Sequence, residues 1–157
     1  MKRFGSYTNN KYGAHKVTFK GIEFDSKYEM ERYIYLLGLQ REGKIAGLRR
    51  QVGFTIIPKI IKNVPKQLKT KVRWETKVVE KEARYHCDFL YEEDGKIIVE
   101  EFKSVHTKDL PDYVLRRKLM VAKIYEHDSM LSFRPNSKEW VFREIVYGNK
   151  KITITDK

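Results

Sequence analysis

The spacing of hydrophobic residues predicts a first helix in the stretch FDSKYEMERYIYLLGLQREGK. Apolar side chains around Leu36 recur at the interval of one helix face. Ser26 lies three residues before Glu29, which is the spacing of a capping box at a helix N-terminus. Gly43 is typical of a helix end. Together these signals predict a helix over about residues 27–41.

A second helix is predicted in DYVLRRKLMVAKIYEHD, where Asp109 and Pro111 provide the usual start signals. Its apolar residues predict a buried side made of Val114, Leu115, Leu119, Ala122 and Tyr125.

Four stretches predict strands. QVGFTII (51–57) is β-branched and apolar and is ended by Pro58, and EWVFREIVY (139–147) alternates. ARYHCDFLYEE and KIIVEEFKS flank Asp94-Gly95, a strong signal for a β-hairpin. After Gly148-Asn149, KITIT predicts a short edge strand. The resulting order, α-β-β-β-α-β, predicts an α/β protein with a central mixed sheet flanked by helices.

The domain organisation follows from composition. The 157 residues suffice for one domain, predicted over residues 21–157, and residues 1–20 have the composition of a flexible basic arm. Residues 58–82 predict an inserted loop followed by an exposed strand or hairpin. This insertion carries eight cations against three acids, which fits either a grip on nucleic acid or a solvated surface segment.

Charge narrows the function classes. The chain has 33 Lys and Arg against 21 Asp and Glu, a net charge of +12, which favours a polyanionic partner, most often nucleic acid. An anionic membrane face or a merely soluble basic protein are the alternatives. Cys87 is the only cysteine, which excludes a disulfide framework and a cysteine-based zinc site. The sequence has no span-length apolar run, so we expect no membrane association and a cytoplasmic location.

The predicted hairpin places charged residues opposite each other. If Asp94-Gly95 form the two-residue turn, the numbers of cross-strand partners sum to 189, and Asp88 faces Glu101. Lys103 then projects from the same face as Glu101, whereas Glu100 points to the other face.

Two like charges on neighbouring strands are destabilising unless something neutralises them. Mg²⁺ prefers carboxylate oxygens and commonly takes one or two protein carboxylates. The pattern therefore predicts a metal site at Asp88 and Glu101, with Lys103 positioned to orient water or stabilise negative charge on phosphate.

Asp88, followed by Glu101-Phe102-Lys103 at the end of the second hairpin strand, resembles the motif of the PD-(D/E)XK nuclease superfamily. Cys87 stands where that motif has proline. Three segments, NKYGAHK, FDSKYEMERYIYLLGLQREGKI and DGKIIVEEFKS, resemble a phage-encoded branch known only as a domain of unknown function, over about residues 10–145. The resemblance implies a restriction-endonuclease-like core and hydrolysis of DNA phosphodiester bonds with Mg²⁺, or Mn²⁺ as a substitute. It also implies junction-resolvase-like action on branched DNA, in the host cytoplasm if the chain is phage-encoded.

The same resemblance assigns roles. Asp88 and Glu101 would be metal ligands, and Lys103 would be the water-positioning or charge-stabilising cation. Glu29 corresponds to an acid of the first helix that completes the site, although its capping role explains it without catalysis. Gln51 could contact the site or be an ordinary polar residue at a strand end.

Basic residues outside this site predict contacts to DNA phosphates, and a solvated helix face is the alternative explanation for those on the second helix. The candidates are Arg116, Arg117, Lys118 and Lys123 of the second helix and Lys69, Lys71 and Arg73 of the insertion. No base-reading motif is present in the sequence, so we expect recognition of DNA structure rather than sequence.

Two other functions fit parts of the pattern. A catalytically inactive nucleic-acid-binding protein that keeps the nuclease fold would explain the charge and the fold. A basic structural or packaging-accessory protein would explain the charge alone. A homodimer would suit symmetric cleavage of two strands, but the sequence defines no interface for it.

Overall fold

The computed structural model describes residues 16–125, 138–148 and 150–157. In chain order the elements are β1 (Val17–Phe19), β2 (Ile22–Phe24), α1 (Lys27–Arg41), β3 (Ile45–Ile57), β4 (Ile60–Gln67), β5 (Val72–Glu80), β6 (Ala83–Glu93), β7 (Lys96–Ser104), α2 (Pro111–Tyr125), β8 (Trp140–Gly148) and β9 (Lys151–Asp156). Omitting the two small hairpins and the last strand leaves α1-β3-β6-β7-α2-β8, which is the predicted order of elements.

The central sheet has five strands in the order β3-β6-β7-β8-β9. Strands β7 and β8 are parallel and are joined through α2, whereas the other neighbours are antiparallel. The predicted α/β class with a mixed sheet is therefore confirmed. The predicted edge strand KITIT is β9, at the end of this sheet.

Each face of the sheet is covered by one helix, so the core has two parts. On one face, Leu36 of α1 packs with Phe89 and Ile98. On the other, Met120 and Ile124 of α2 pack in the cluster that contains Val99 and Phe142. The strands between the helices are apolar on both sides for this reason.

Helix α1 spans the predicted residues 27–41. The Ser26 side chain caps it by accepting a hydrogen bond from the backbone N–H of Glu29 at 3.1 Å. At the other end Gly43 adopts a φ of 73°, which only glycine adopts without cost.

The predicted flexible arm, residues 1–20, needs a correction at its C-terminal end. Residues 17–24 form the β1–β2 hairpin, and Phe24 is 1% exposed beneath the ring of Tyr33 and the guanidinium of Arg50. The free energy gained by burying this aromatic ring offsets the conformational entropy lost when the hairpin becomes ordered. The remainder of the predicted arm, residues 1–15, lies outside the described residues.

The predicted insertion forms a separate two-stranded sheet, β4–β5, which is exposed along its length. A loop followed by an exposed strand or hairpin was predicted for residues 58–82; the first part of this stretch is strand β4 rather than a loop.

The predicted buried side of α2 is wrong at Leu115, Ala122 and Tyr125, which are exposed, whereas Leu119 packs against the core. Leu115 and Tyr125 are 60% and 66% exposed, while Tyr113, Met120 and Ile124 are buried. The buried stripe includes Arg117, which has an acidic partner on the sheet. The spacing of apolar residues could not predict this buried face of α2, because the face includes Arg117, a cation paired with Glu144. The predicted residues 126–128 of this helix lie outside the described residues.

None of the helices in the described ranges is long and apolar enough to cross a membrane.

Candidate functional site

The candidate site lies where strand β6 separates from β7. Their pairing runs from Glu93–Lys96 to Phe89–Glu100 in the predicted register. Asp88 comes next but is not part of the ladder; its Oδ2 instead accepts the backbone N–H of Phe102 at 2.8 Å. The expected direct cross-strand pair of Asp88 and Glu101 is thus replaced by a side-chain contact to the residue after Glu101.

Gln51 marks the same break on the other side of β6. Its neighbours Arg50 and Val52 pair with Phe89 and Cys87, but Gln51 itself has a φ of 50° and is not in the ladder. A left-handed backbone at a residue other than glycine is strained and is often found at functional sites.

The side chain of Gln51 links two acids. Its Nε2 donates to Asp88 Oδ1 at 3.2 Å and lies 3.4 Å from Glu29 Oε1. Gln51 was predicted as a possible contact of the site. Its side-chain amide lies between Glu29 of helix α1 and Asp88 of strand β6.

Glu29 reaches this cluster from the first turn of α1 and is 6% exposed. Its Oε2 accepts the backbone N–H of Asp25 at 3.2 Å, and Arg50 lies 3.7 Å from its Oε1. The two roles considered for Glu29 are therefore compatible, because one carboxylate oxygen serves the helix start and the other faces Gln51 and Arg50.

Glu101 and Lys103 lie two residues apart on β7 and form an ion pair between Nζ and Oε1. The other oxygen of Glu101 accepts a hydrogen bond from the hydroxyl of Tyr85, which is 2% exposed. The Lys103 ammonium also lies 5.0 Å from the centre of the Tyr113 ring. Tyr85 and Tyr113 therefore restrict the positions of both groups.

The electrostatics of the cluster raise the pKa of two of its acids towards neutral pH. Burial, followed by repulsion from Glu101, raises the pKa of Asp88 to about 7. Burial, followed by the charge of Asp88, raises the pKa of Glu29 to about 7. Burial disfavours the Lys103 ammonium, but the charges of Glu101 and Asp88 outweigh it and raise the pKa of Lys103. The nearby cations thus do not offset the effect of burial on Asp88 and Glu29.

Glu144 was missed by the sequence reasoning. The parallel register pairs it with Glu101 across β7 and β8. Tyr113 donates to Glu144 at 2.6 Å, Arg117 donates at 2.8 Å and Lys157 lies 3.3 Å away. Burial opposes ionisation of Glu144, but these hydrogen bonds and charges outweigh it and lower its pKa.

The alternation of strand 139–147 could have placed Glu144 on one face of the sheet. The sequence could not show that Glu144 lies beside Glu101, because the parallel register of β7 and β8 depends on the path of the connection through α2. Tyr85 was missed for a related reason: the break at Asp88 shifts the alternation of β6, so Cys87 and Leu90 share one core cluster and Phe89 belongs to the other.

Glu100 lies on the opposite face, as predicted. It is completely buried and accepts two hydrogen bonds from Arg32 of α1, both at 2.7 Å, and one from Tyr91 at 2.6 Å. These contacts explain Glu100 as the anchor of α1 on the sheet.

The predicted DNA contacts divide into two groups. Arg116 and Lys118 are exposed on α2, and Lys123 is half-buried. Lys69, Lys71 and Arg73 are exposed at the turn end of the β4–β5 hairpin. Arg117 requires a correction, because it faces the sheet and its guanidinium binds Glu144, leaving it poorly placed to contact phosphate.

Mg²⁺ commonly takes one or two carboxylate ligands from a protein, and Asp88 and Glu101 are the residues here that would hold it. Their donor chemistry fits such an ion. Across the ranges that the structure describes, no three His, Cys, Asp or Glu residues form a cluster able to hold a metal ion. The fit therefore rests on this pair, with water and substrate oxygens left to complete the coordination.

The fold and site define an α/β protein with a mixed central sheet and an acidic cluster where two strands separate. The chain belongs to the family described as "Protein of unknown function (DUF1064)", whose profile matches residues 9–149. This confirms the predicted membership of a domain of unknown function.

Comparison with curated proteins gives no match. The solved structure entitled "Crystal structure of SSO0001" is similar, at 18% identity and a TM-score of 0.33. The similarity covers 83% of this chain and 52% of that one, so the chain spans about half the length of that structure.

Proposed function

We propose that this protein is a Mg²⁺-dependent endonuclease that hydrolyses phosphodiester bonds in branched or otherwise structured DNA, with a restriction-endonuclease-like core of the PD-(D/E)XK type. The observation that carries the proposal is the convergence of Asp88, Glu101 and Lys103 at the strand break. Two carboxylates beside a cation suit a bound divalent metal and a phosphate group.

Asp88 and Glu101 would hold the metal, which, when bound, would polarise a phosphodiester and lower the pKa of a water molecule. Mn²⁺, which favours the same oxygen ligands, would be expected to substitute. Asp88 must be ionised to act as a ligand, and its pKa of about 7 means that it gives up its proton near neutral pH.

Lys103 keeps its proton in this environment, since its pKa is raised. Its charge would orient water and stabilise the negative charge that grows on the phosphate during attack. Glu29 has a pKa of about 7 and is linked through Gln51 to Asp88, so it could exchange a proton beside the reacting groups.

The substrate class is supported by the net charge of +12 and by the exposed cations of α2 and the β4–β5 hairpin. Such contacts bind the phosphate backbone without reading bases. They support recognition of DNA structure rather than sequence.

A catalytically inactive nucleic-acid-binding protein is the second candidate. It is favoured by the contacts of Glu101, whose two oxygens already engage Lys103 and Tyr85. A carboxylate satisfied in this way can persist without a metal.

The test uses purified protein with linear, nicked, flapped and four-way-junction DNA, with Mg²⁺ or with EDTA. Asp88→Asn and Lys103→Ala are compared with wild type. Glu92→Gln is the matched control, because Glu92 lies on the same strand and pairs with Lys138 outside the site.

Cleavage that requires Mg²⁺, prefers a branched substrate, persists in Glu92→Gln and is lost in both site variants would support the proposal. Salt-sensitive binding of these DNAs without cleavage by wild type would refute it and favour the inactive binding protein.

A further inference from the structure

The β4–β5 hairpin has two chemically distinct faces, which its pairing register reveals. Partners across an antiparallel pair project to the same side, and Ile61–Val78, Asn63–Thr76, Pro65–Trp74 and Gln67–Val72 are such partners. These eight residues contain no charge and form what we call the neutral face. A hydrogen bond of 3.0 Å from Thr76 Oγ1 to Asn63 Oδ1 lies on it.

The other face is basic. Lys62 pairs with Lys77 and Lys66 with Arg73, and Glu75, opposite Val64, is its one acid between these pairs. Two like-charged cross-strand pairs destabilise the isolated hairpin. Of these four cations, Lys66 gains relief through an ion pair of 2.9 Å with Glu75.

The hairpin also lacks the packing that normally stabilises two strands. Its large apolar side chains are exposed, with Trp74 at 67%, Ile61 at 51% and Val78 at 48%. Within the described residues β5 pairs only with β4. A two-stranded hairpin is at best marginally stable in water and usually requires a third strand or a packing partner.

The two outer edges differ in their ability to add a strand. Pro65 removes a backbone donor from β4 and places a ring on that strand. Strand β5 contains no proline between Val72 and Glu80. The available edge for strand addition is therefore that of β5.

We infer that β5 pairs with β5 of a second copy of this chain, antiparallel and about a two-fold axis, with Thr76 opposite Thr76. A two-fold axis perpendicular to the sheet pairs residues of the same face, so partner numbers must sum to an even value. With Thr76 at the centre, Glu75 faces Lys77 of the second copy, and Trp74 faces Val78.

The charges select this register over its neighbours. Centring the pair on Glu75 would oppose two glutamates and set Arg73 against Lys77. Centring it on Lys77 would oppose two lysines. Self-pairing of β4 about Val64 would set Lys62 against Lys66. A register centred on Trp74 would also form two attractive pairs, between Arg73 and Glu75, but it would set Lys77 towards Lys71 and bring no acid to the Lys62–Lys77 pair. The Thr76 register forms two attractive pairs and brings Glu75 to Lys77, which is why we prefer it.

The resulting four-stranded sheet would have a continuous neutral face across both copies. Glu75 of the second copy would also approach Lys77, which lies beside Lys62 in the hairpin, and so relieve that repulsion. The register irregularity between Ile60 and Ile61 leaves Val79 without a partner in the hairpin, which limits the new ladder to about residues 74–78.

Sedimentation equilibrium at about 0.1 M salt, on protein freed of nucleic acid beforehand by a high-salt wash, tests the inference, because exposed charge pairs are screened at high salt. We expect a monomer–dimer equilibrium that Glu75→Lys and Lys77→Glu each weaken about tenfold, since each creates two like-charge pairs in the dimer. The double variant Glu75→Lys/Lys77→Glu restores the opposite-charge pairs and the net charge, so it should recover wild-type association. Lys59→Glu changes the net charge as Lys77→Glu does but lies before β4, away from the new ladder, and it should not weaken the dimer.

A second measurement reports the register directly. Thr76→Cys should be cross-linked to its copy by a short bis-maleimide, because both cysteines would lie at the two-fold axis. Thr70→Cys, in the turn, should remain uncross-linked, and the native Cys87 is buried.

A monomer at all concentrations would overturn the inference. Failure of the double variant to recover association would also overturn it. Dimers that disappear when nucleic acid is removed would identify nucleic acid as the bridging partner and would likewise overturn it. None of these readouts depends on cleavage activity.

Discussion

At the residue scale, Asp88 combines the features that define the candidate site. It leaves the β6–β7 ladder, binds a backbone N–H with its carboxylate and is joined to Glu29 through Gln51. The elevated pKa of Asp88 means that its ionised form costs folding free energy. A residue that reduces stability in this way is more easily explained by a function than by packing.

Asp88→Asn should stabilise the metal-free protein at alkaline pH. The pKa of Asp88 is raised from its ordinary 3.8 to about 7, so the folded state holds a proton that the unfolded state loses between these values. Wild-type stability therefore falls as pH rises through this window, and the cost is complete above about pH 7. The amide keeps an acceptor for Phe102 and removes the charge.

Urea denaturation in EDTA measures this effect. The difference in unfolding free energy between variant and wild type is measured at pH 8 and at about pH 4. We expect it to favour the variant by on the order of 1 kcal/mol or more at pH 8 compared with pH 4. A loss of stability that is larger at pH 8 than at pH 4 would contradict the assignment.

Lys103→Met should raise the pKa of Asp88 further, because the Lys103 ammonium lowers that pKa in the folded protein. The carboxyl carbon resonances of Asp88, followed by NMR against pH, should show a higher midpoint than in wild type. Lys103→Arg keeps the charge and should leave the midpoint near its wild-type value. An unchanged midpoint in Lys103→Met would show that the two groups do not interact.

At the element scale, the buried Arg32–Glu100 pair fastens α1 to the central strand β7. This pair lies on the opposite face from Lys103 and positions the helix that carries Glu29. The two adjacent glutamates of β7 therefore have different contacts. Glu100 binds Arg32 of α1, and Glu101 faces the candidate site.

Arg32→Met should destabilise the fold by about 3–5 kcal/mol, because Glu100 would remain buried without its cation. The double variant Arg32→Met/Glu100→Gln should recover part of this loss, since no uncompensated charge remains. Lys27→Met is a control on the same helix; its pair with Glu31 is exposed and should contribute less than about 1 kcal/mol.

Equilibrium urea unfolding of the four proteins provides the measurement. A loss in Arg32→Met as small as that in Lys27→Met would mean that the buried pair does not anchor the helix.

The features of the helices and strands that depend on local contacts were predicted correctly from the sequence. Helix α1 was predicted with its observed limits because Ser26 and Gly43 act through local backbone contacts. The β6–β7 register followed from the Asp94-Gly95 turn for the same reason. The buried side of α2 was predicted only in part, because the orientation of this helix depends on Arg117 reaching Glu144 on a strand that follows later in the chain.

At the scale of the whole molecule, the net charge of +12 is distributed over surfaces that differ in their availability. The cations at the end of the β4–β5 hairpin are exposed. Arg117 is held by Glu144 and half-buried. Charge counted from the sequence therefore overstates the contribution of α2 to an electrostatic surface.

Alanine substitution of Lys69, Lys71 or Arg73 should each reduce the slope of log binding constant against log salt by about 1, if these residues contact DNA phosphates. Arg117→Ala should change the slope less and instead lower stability by removing the partner of Glu144. Fluorescence anisotropy of labelled four-way-junction DNA over a salt series would measure the slopes. A slope that Arg117→Ala reduces as strongly as the hairpin variants would contradict this division.

The sequence by itself determined the order of the core elements, the limits of α1, the turn and register of β6–β7, and the placement of Glu100 and Glu101 on opposite faces. Each depends on contacts between residues close along the chain. Only the tertiary structure decided the break at Asp88, the link through Gln51 and the position of Glu144 beside Glu101. These depend on how distant strands pair, because the strain at Gln51 and the parallel register of β8 arise from packing and not from local preference.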